Sequence, residues 1–269
     1  MIVVFFRKKR NYAHFCHDSD IFAKFFSGVS MPLPVEVTPN PLFSSAVEVR
    51  FTSKIEREQL LSKIYPAFAD VLPEIQNHNS FYGEPGNLND SQSPDFTLVN
   101  DDYSLSVGPD FVTFENIGEY KLWKNYFPFM QAQLKRLFEI DLVDQIERVG
   151  LRYISILPDS EKPEDVLSWL PKLPLPKFEN SATRAIHTNI SVEDVSINLL
   201  IASRAKAEKK DIEKIGLVID IDCFIRKGVA NNLADLFKQI DQLHKVEKEL
   251  FFGLLKDDYL NRYLNPIYP

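Results

Sequence analysis

The stretch that most limits what this chain can fold into is Arg148-Val149-Gly150-Leu151-Arg152-Tyr153-Ile154-Ser155-Ile156-Leu157. Up to Tyr153 it alternates. Val149, Leu151 and Tyr153 fall on one side, and Arg148, Gly150 and Arg152 fall on the other. Successive side chains of a strand point to opposite faces, so one apolar set at a period of two describes a strand buried against helices through one face. Beyond Tyr153 the run turns apolar, which predicts an end covered on both sides. The two arginines of the second face need either water or carboxylates.

The elements before this strand follow in order. Ala46–Phe51 alternates, with Val47, Val49 and Phe51 inward and Glu48 and Arg50 outward. Ser53-Lys54-Ile55-Glu56 fits a capping box and predicts a helix that carries Leu60, Ile64, Phe68, Leu72 and Ile75 at helical spacing. Pro66 and Pro73 predict a kink or an early end. Residues 76–94, rich in Asn, Ser, Gly and Pro, read as a loop. Strands at Phe96–Asn100, Tyr103–Val107 and Phe111–Glu115, separated by tight turns, predict an antiparallel meander. A helix over Glu119–Ile140 closes this set.

After the central strand a short helix is predicted from Lys162-Pro163 through Trp169, then a stiff linker at Pro171, Pro174 and Pro176. Strands follow at Ala182–Val192, Val195–Ala205 and Ile215–Ile225, and a long helix over Asn232–Leu255. The chain is therefore read as an α+β protein, a curved antiparallel sheet with helices packed on one face. Residues 46–142 and 147–255 both spell βαβββα. Two repeats sharing a groove on the uncovered faces are one explanation, and chance recurrence of a short element string is the other. The domain reading is a first half over 31–145 and a second over 146–269. Residues 1–30 are read as an upstream extension outside the fold, with Met31 as the natural start; a basic arm on a membrane surface is the alternative.

Composition narrows the class of function. A chain of 269 residues can bury a large core. Its net charge of -7 argues against general nucleic-acid binding, which needs a basic surface. Cys16 and Cys223 match no metal spacing, so a reducing cytoplasmic location is expected. The apolar run at Met1–Phe6 is too short, and precedes its basic residues, so it is no secretory signal; no run is long enough for a transmembrane helix. There is no glycine-rich phosphate loop, nucleophile elbow, His-Glu-x-x-His or Cys-x-x-Cys, and no cofactor is expected.

Several passages together resemble a sporadically distributed bacterial family of uncharacterised proteins. They are Asn40-Pro41-Leu42 leading to Ala46–Phe51; Leu105–Glu115 with Tyr120-Lys121-Leu122-Trp123; Arg148–Ile154; Ile219-Asp220-Ile221-Asp222; and Leu243-His244 with Leu250-Phe251. The resemblance covers roughly residues 31–263. It implies no activity, cofactor or catalytic residue, and its scattered occurrence fits mobile-element or defence-type accessory systems. Phe251-Phe252 departs from the family's Phe-Glu at that place.

Candidate chemistry comes from few side chains. Asp220 and Asp222, two apart on a strand, point the same way and could hold Mg²⁺ or do acid–base work; a salt-bridged strand face is the plainer reading. Arg148 and Arg152 could pair with them, and Glu48 and Arg50 would extend the ladder as ligand-binding residues for an anion or a peptide. His244, near the core face of the last helix with Glu247 one turn on, is a core histidine or a general base. His187 is expected to face solvent. His14 and His17 around Cys16 make a poor metal site, and no metal is expected. The function read from this is a non-enzymatic cytoplasmic protein that binds a protein partner. The alternatives are a metal-dependent hydrolase or nuclease using Asp220 and Asp222 with His244, and a small-ligand carrier with its pocket between sheet and helix.

Overall fold

A computed structural model describes residues 3–5, 12–15, 32–77, 93–158, 163–168, 185–209 and 212–269. The strands form a large open antiparallel sheet accompanied by helices, an α+β architecture. The chain divides into two compact units, and each is discontinuous: unit 1 holds residues 1–43, 152–223 and 243–269, and unit 2 holds residues 44–151 and 224–242. The halves 31–145 and 146–269 divide the chain along its length, whereas these units interleave.

In unit 2 the strand order is β8-β3-β7-β6-β5-β4, where β3 is Leu42–Ser53, β4 Glu74–Asn77, β5 Phe96–Val99, β6 Tyr103–Val107, β7 Phe111–Asn116 and β8 Val143–Pro158. The alternation of β3 is realised: Val47, Val49 and Phe51 are buried, and β7 pairs antiparallel with Glu48 opposite Thr113 and Arg50 opposite Phe111. Asn100 makes the first meander turn, its Oδ1 accepting from the backbone N–H of Asp102 (2.9 Å) and Tyr103 (2.7 Å).

The capping box is not used. Ser53 ends β3, and its Oγ accepts from the Ile55 N–H at 3.0 Å, so the side chain closes a local turn instead of a helix. A 3-10 turn at Arg57–Gln59 leads into α1, Leu60–Phe68, which stops well before Pro73. The four residues after Pro73 form β4, an exposed edge strand where a helix end and loop were expected. Helix α2, Trp123–Glu139, buries Tyr126, Met130, Leu134 and Leu137 at helical spacing. The buried Tyr126 hydroxyl donates to the Phe114 carbonyl at 2.9 Å, which fixes α2 on the Val112–Phe114 side of β7.

In unit 1 the order is β2-β9-β10-β11-β8, with β1 also on β10; β1 is Val3–Phe5, β2 Tyr12–Phe15, β9 Ala185–Val192, β10 Val195–Lys209 and β11 Ile212–Ile225. Val192 pairs with Val195, leaving Glu193-Asp194 as the hairpin loop with Glu193 at φ 52°. Arg204 at φ 51° interrupts β10: Ala202 before it and Ala205 and Ala207 after it lie in one buried cluster although their parity differs. Those alanines pack with Ile154, Ile156 and Val218, so the end of β8 is buried on its second face too. Gly216 permits this approach: a Cβ there would sit 2.1 Å from the Leu157 carbonyl oxygen.

Residues 1–30 were expected outside the fold. For two stretches this is corrected: Val3–Phe5 pairs antiparallel with β10, and Tyr12–Phe15 pairs parallel with β9, because the outer edges of those strands offer unpaired backbone groups. The rest of that segment lies outside the described residues, as does the Pro171–Pro176 linker. Helix α3 is Pro163–Val166, shorter than expected; α4 is Leu233–Leu254, and α5 is Asp257–Tyr263. The chain passes from one unit to the other inside β3, β8, β11 and α4. No helix among the described residues is long and apolar enough to cross a membrane.

Candidate functional site

Positions 48 and 50 of β3 share a face, as do 224 and 226 at the end of β11. In unit 2, Glu48 takes both neighbouring arginines. Arg50 donates through Nε to Oε1 (2.8 Å), and Arg148 of β8 donates through Nη1 to the same oxygen (2.5 Å). The Arg148 guanidinium lies 4.5 Å from the centre of the Phe224 ring. Arg226 lies 5.0 Å from that same ring, and Arg50 lies 5.4 Å from the Phe111 ring. Gly150 leaves room for this, since a Cβ there would meet Arg148 Nη1 at 2.6 Å. Glu48 therefore joins Arg50 and Arg148, and the Phe224 ring has both Arg148 and Arg226 within cation–π reach.

Unit 1 resolves its charges differently. Arg152 donates through Nε to Asp220 Oδ1 (2.9 Å) and through Nη2 to Oδ2 (2.7 Å), a bidentate pair. Asp220 is buried, with 7% of its side chain exposed, while Arg152 is half exposed at 49%. Asp222 accepts from Asn198 Nδ2 at 3.2 Å. Of the ladder expected on this face, the pairs Arg152–Asp220 and Arg148–Glu48 are formed. Both Asp220 oxygens are committed to a guanidinium. Among the described residues no group of three His, Cys, Asp or Glu side chains could hold a metal ion.

His244 of α4 is half-buried, with Nδ1 3.3 Å from the Tyr153 hydroxyl. One turn on, Glu247 is buried on the core side of α4 between Leu243 and Leu250, where burial raises its pKa to about 8. Facing it, burial pushes the Cys223 thiol up, and the charges of Glu247 and Asp222 push it further. His187 is half-buried on β9, on the strand face that it shares with exposed Asn189.

No protein-family model matches the chain, and no curated protein matches it. What the site can do follows from its groups alone. Guanidinium groups only donate and stay charged, so the unit 2 set can bind and orient an anion but cannot exchange a proton with it. Sequence reasoning missed Arg226 and Phe224, and placed Glu247 beside His244 without its burial. Arg226 stands one residue past the expected strand end, and Glu247 is flanked by Lys248 and Glu249, which make its stretch look solvated.

Proposed function

We propose that this chain is a non-enzymatic binding protein of the bacterial cytoplasm, akin to the sporadically distributed family it resembles, and that it engages a protein partner through the arginine set of unit 2. The observation that carries this reading is the sharing of Glu48 by Arg50 and Arg148 while Arg148 and Arg226 rest on one phenylalanine ring. Such groups are held in place before any ligand arrives, which lowers the ordering cost of binding. The capture of Asp220 by Arg152 weighs against a metal-dependent hydrolase there. Proximity labelling in the source cells is the test. A partner should be labelled by the wild type and lost on Arg50→Ala/Arg148→Ala at equal protein level. Equal labelling by the variant, or Mg²⁺-dependent hydrolysis abolished by Asp222→Ala, would overturn the reading.

A second reading, a small-ligand carrier, is favoured by one feature of unit 1: Glu247, Tyr153 and His244 place polar groups in the apolar layer between β8, β11 and α4. A library thermal-shift screen should then find a stabiliser whose effect Glu247→Gln removes.

The proposal includes a duplicated βαβββα unit. Its support is the neighbour order, β3-β7-β6-β5 in residues 42–116 and β8-β11-β10-β9 in residues 143–225. In both, the first strand pairs with the last, and the others follow in reverse. Among the described residues β4 has no counterpart in the second set.

A further inference from the structure

We infer that the turn of α4 around Glu247 is a pH-responsive latch, seated on the sheet of unit 1 while that acid keeps its proton and released when the proton leaves. Glu247 is 3% exposed and lies between Leu243 and Leu250, both buried, on the core side of the helix. No hydrogen bond or ion pair reaches its carboxyl among the described residues. A carboxylate in that place would lose its water and gain neither donor nor cation in exchange, whereas the neutral acid is buried at far smaller cost. Seating the turn therefore requires the proton, and lifting it returns the carboxylate to water. The device is independent of either binding reading above.

The groups around Glu247 leave this balance in place. Cys223 faces it from β11 as a buried thiol, with Asp222, an acid, next to it in sequence. Tyr153 of β8 is engaged with His244, which stands one helical turn before Glu247. Buried Ile197 and Leu199 of β10 carry no charge. The cation beside Glu247 on the helix is Lys248, and its attraction is a smaller influence on the acid than burial. The pKa of about 8 in the seated form, against an ordinary 4.5, sets the window. Below it both forms hold the proton, and above it neither does. Inside it only the seated form does, so each pH unit favours the lifted form by about ten-fold. Lifting also uncovers Cys223, which is wholly buried in the seated form.

The test is hydrogen exchange of the full chain between pH 5.5 and 7.5, corrected for the intrinsic pH dependence of exchange. It is paired with thiol labelling of Cys223 in a Cys16→Ser background, scaled to the urea-unfolded chain. The amides of residues 247–251 should exchange faster than the most protected amides of β3 and β7, and their protection should fall by about a hundred-fold over that span. Labelling of Cys223 should rise in step. Glu247→Gln, or Glu247→Leu should the first not fold, should flatten both profiles. His244→Gln, which removes the nearby imidazole, should leave them sloped. A flat wild-type profile overturns the inference, as does a slope that survives the loss of Glu247 or vanishes with His244. Exchange of residues 247–251 no faster than that of β3 and β7 overturns it too, because the turn would then open only when the whole chain unfolds.

Discussion

Arg148 and Arg152 lie on one strand with the same parity, and the two units treat them in opposite ways. Arg152 has its own carboxylate, and both oxygens of Asp220 are spent on it. Arg148 shares Glu48 with Arg50 and leans on a ring that also supports Arg226. The first arrangement is closed. Its acid is buried, and its half-exposed cation grips both carboxylate oxygens. The second shares one acid between two cations. Identical residues two strand repeats apart can thus grip an acid of their own in one place and share one in another.

The largest expected effect breaks the closed pair. Arg152→Ala leaves Asp220 buried without its cation and should cost about 3 kcal/mol in urea unfolding, less than a fully buried pair because Arg152 is half exposed. Arg152→Ala/Asp220→Asn should recover more than half of that. A cost no greater than that of Arg50→Ala would abolish the contrast between the units.

Next comes the buried acid of α4 in unit 1. The folded pKa of Glu247, about 8, lies above its ordinary 4.5. Between those values the folded chain holds a proton that the unfolded chain has released, so this group makes stability fall as pH rises through the window and level off above it. Glu247→Gln should remove that slope and raise stability at pH 8 by roughly 2 kcal/mol, read from unfolding midpoints across pH 5–9. A slope that survives the substitution would assign it to another group.

The open set should respond less. Arg148→Ala should cost about 1 kcal/mol, because Glu48 keeps Arg50 as a partner and is itself partly exposed. Smallest is Gly150→Ala. Its Cβ meets only the guanidinium end of Arg148, a long side chain that can shift, so stability should change by less than about 0.5 kcal/mol in urea unfolding. A loss of stability larger than that of Arg152→Ala would mean that the open set is the structural one.

Much of the fold was legible because it depends on local pattern. The alternation of β8 and β3, the Asn100 turn and the helical spacing of α2 and α4 are written in neighbouring residues, and the structure places those elements within a few residues of expectation. The capping box at Ser53 misled because a short hydroxyl can close a turn as readily as a helix. Strand β4 was missed because Glu74-Ile75-Gln76-Asn77 buries nothing and is defined only by its partner β5. The site was less legible for the same reason. Whether Arg152 meets Asp220 or Arg148 meets Glu48 is a matter of register between distant strands, which no single stretch encodes. Arg226 carried no local signal at all.

The interleaving of the units has a practical side. Because the chain changes unit inside β3, β8, β11 and α4, no single cut yields either unit whole. A polypeptide split at residue 145 would give two pieces, each missing strands that its own core requires. Neither half should be recoverable as a folded product by itself, and the two should regain native spectra only when coexpressed. For anyone planning truncations, the gene is best treated as indivisible, with tags and reporters confined to its ends.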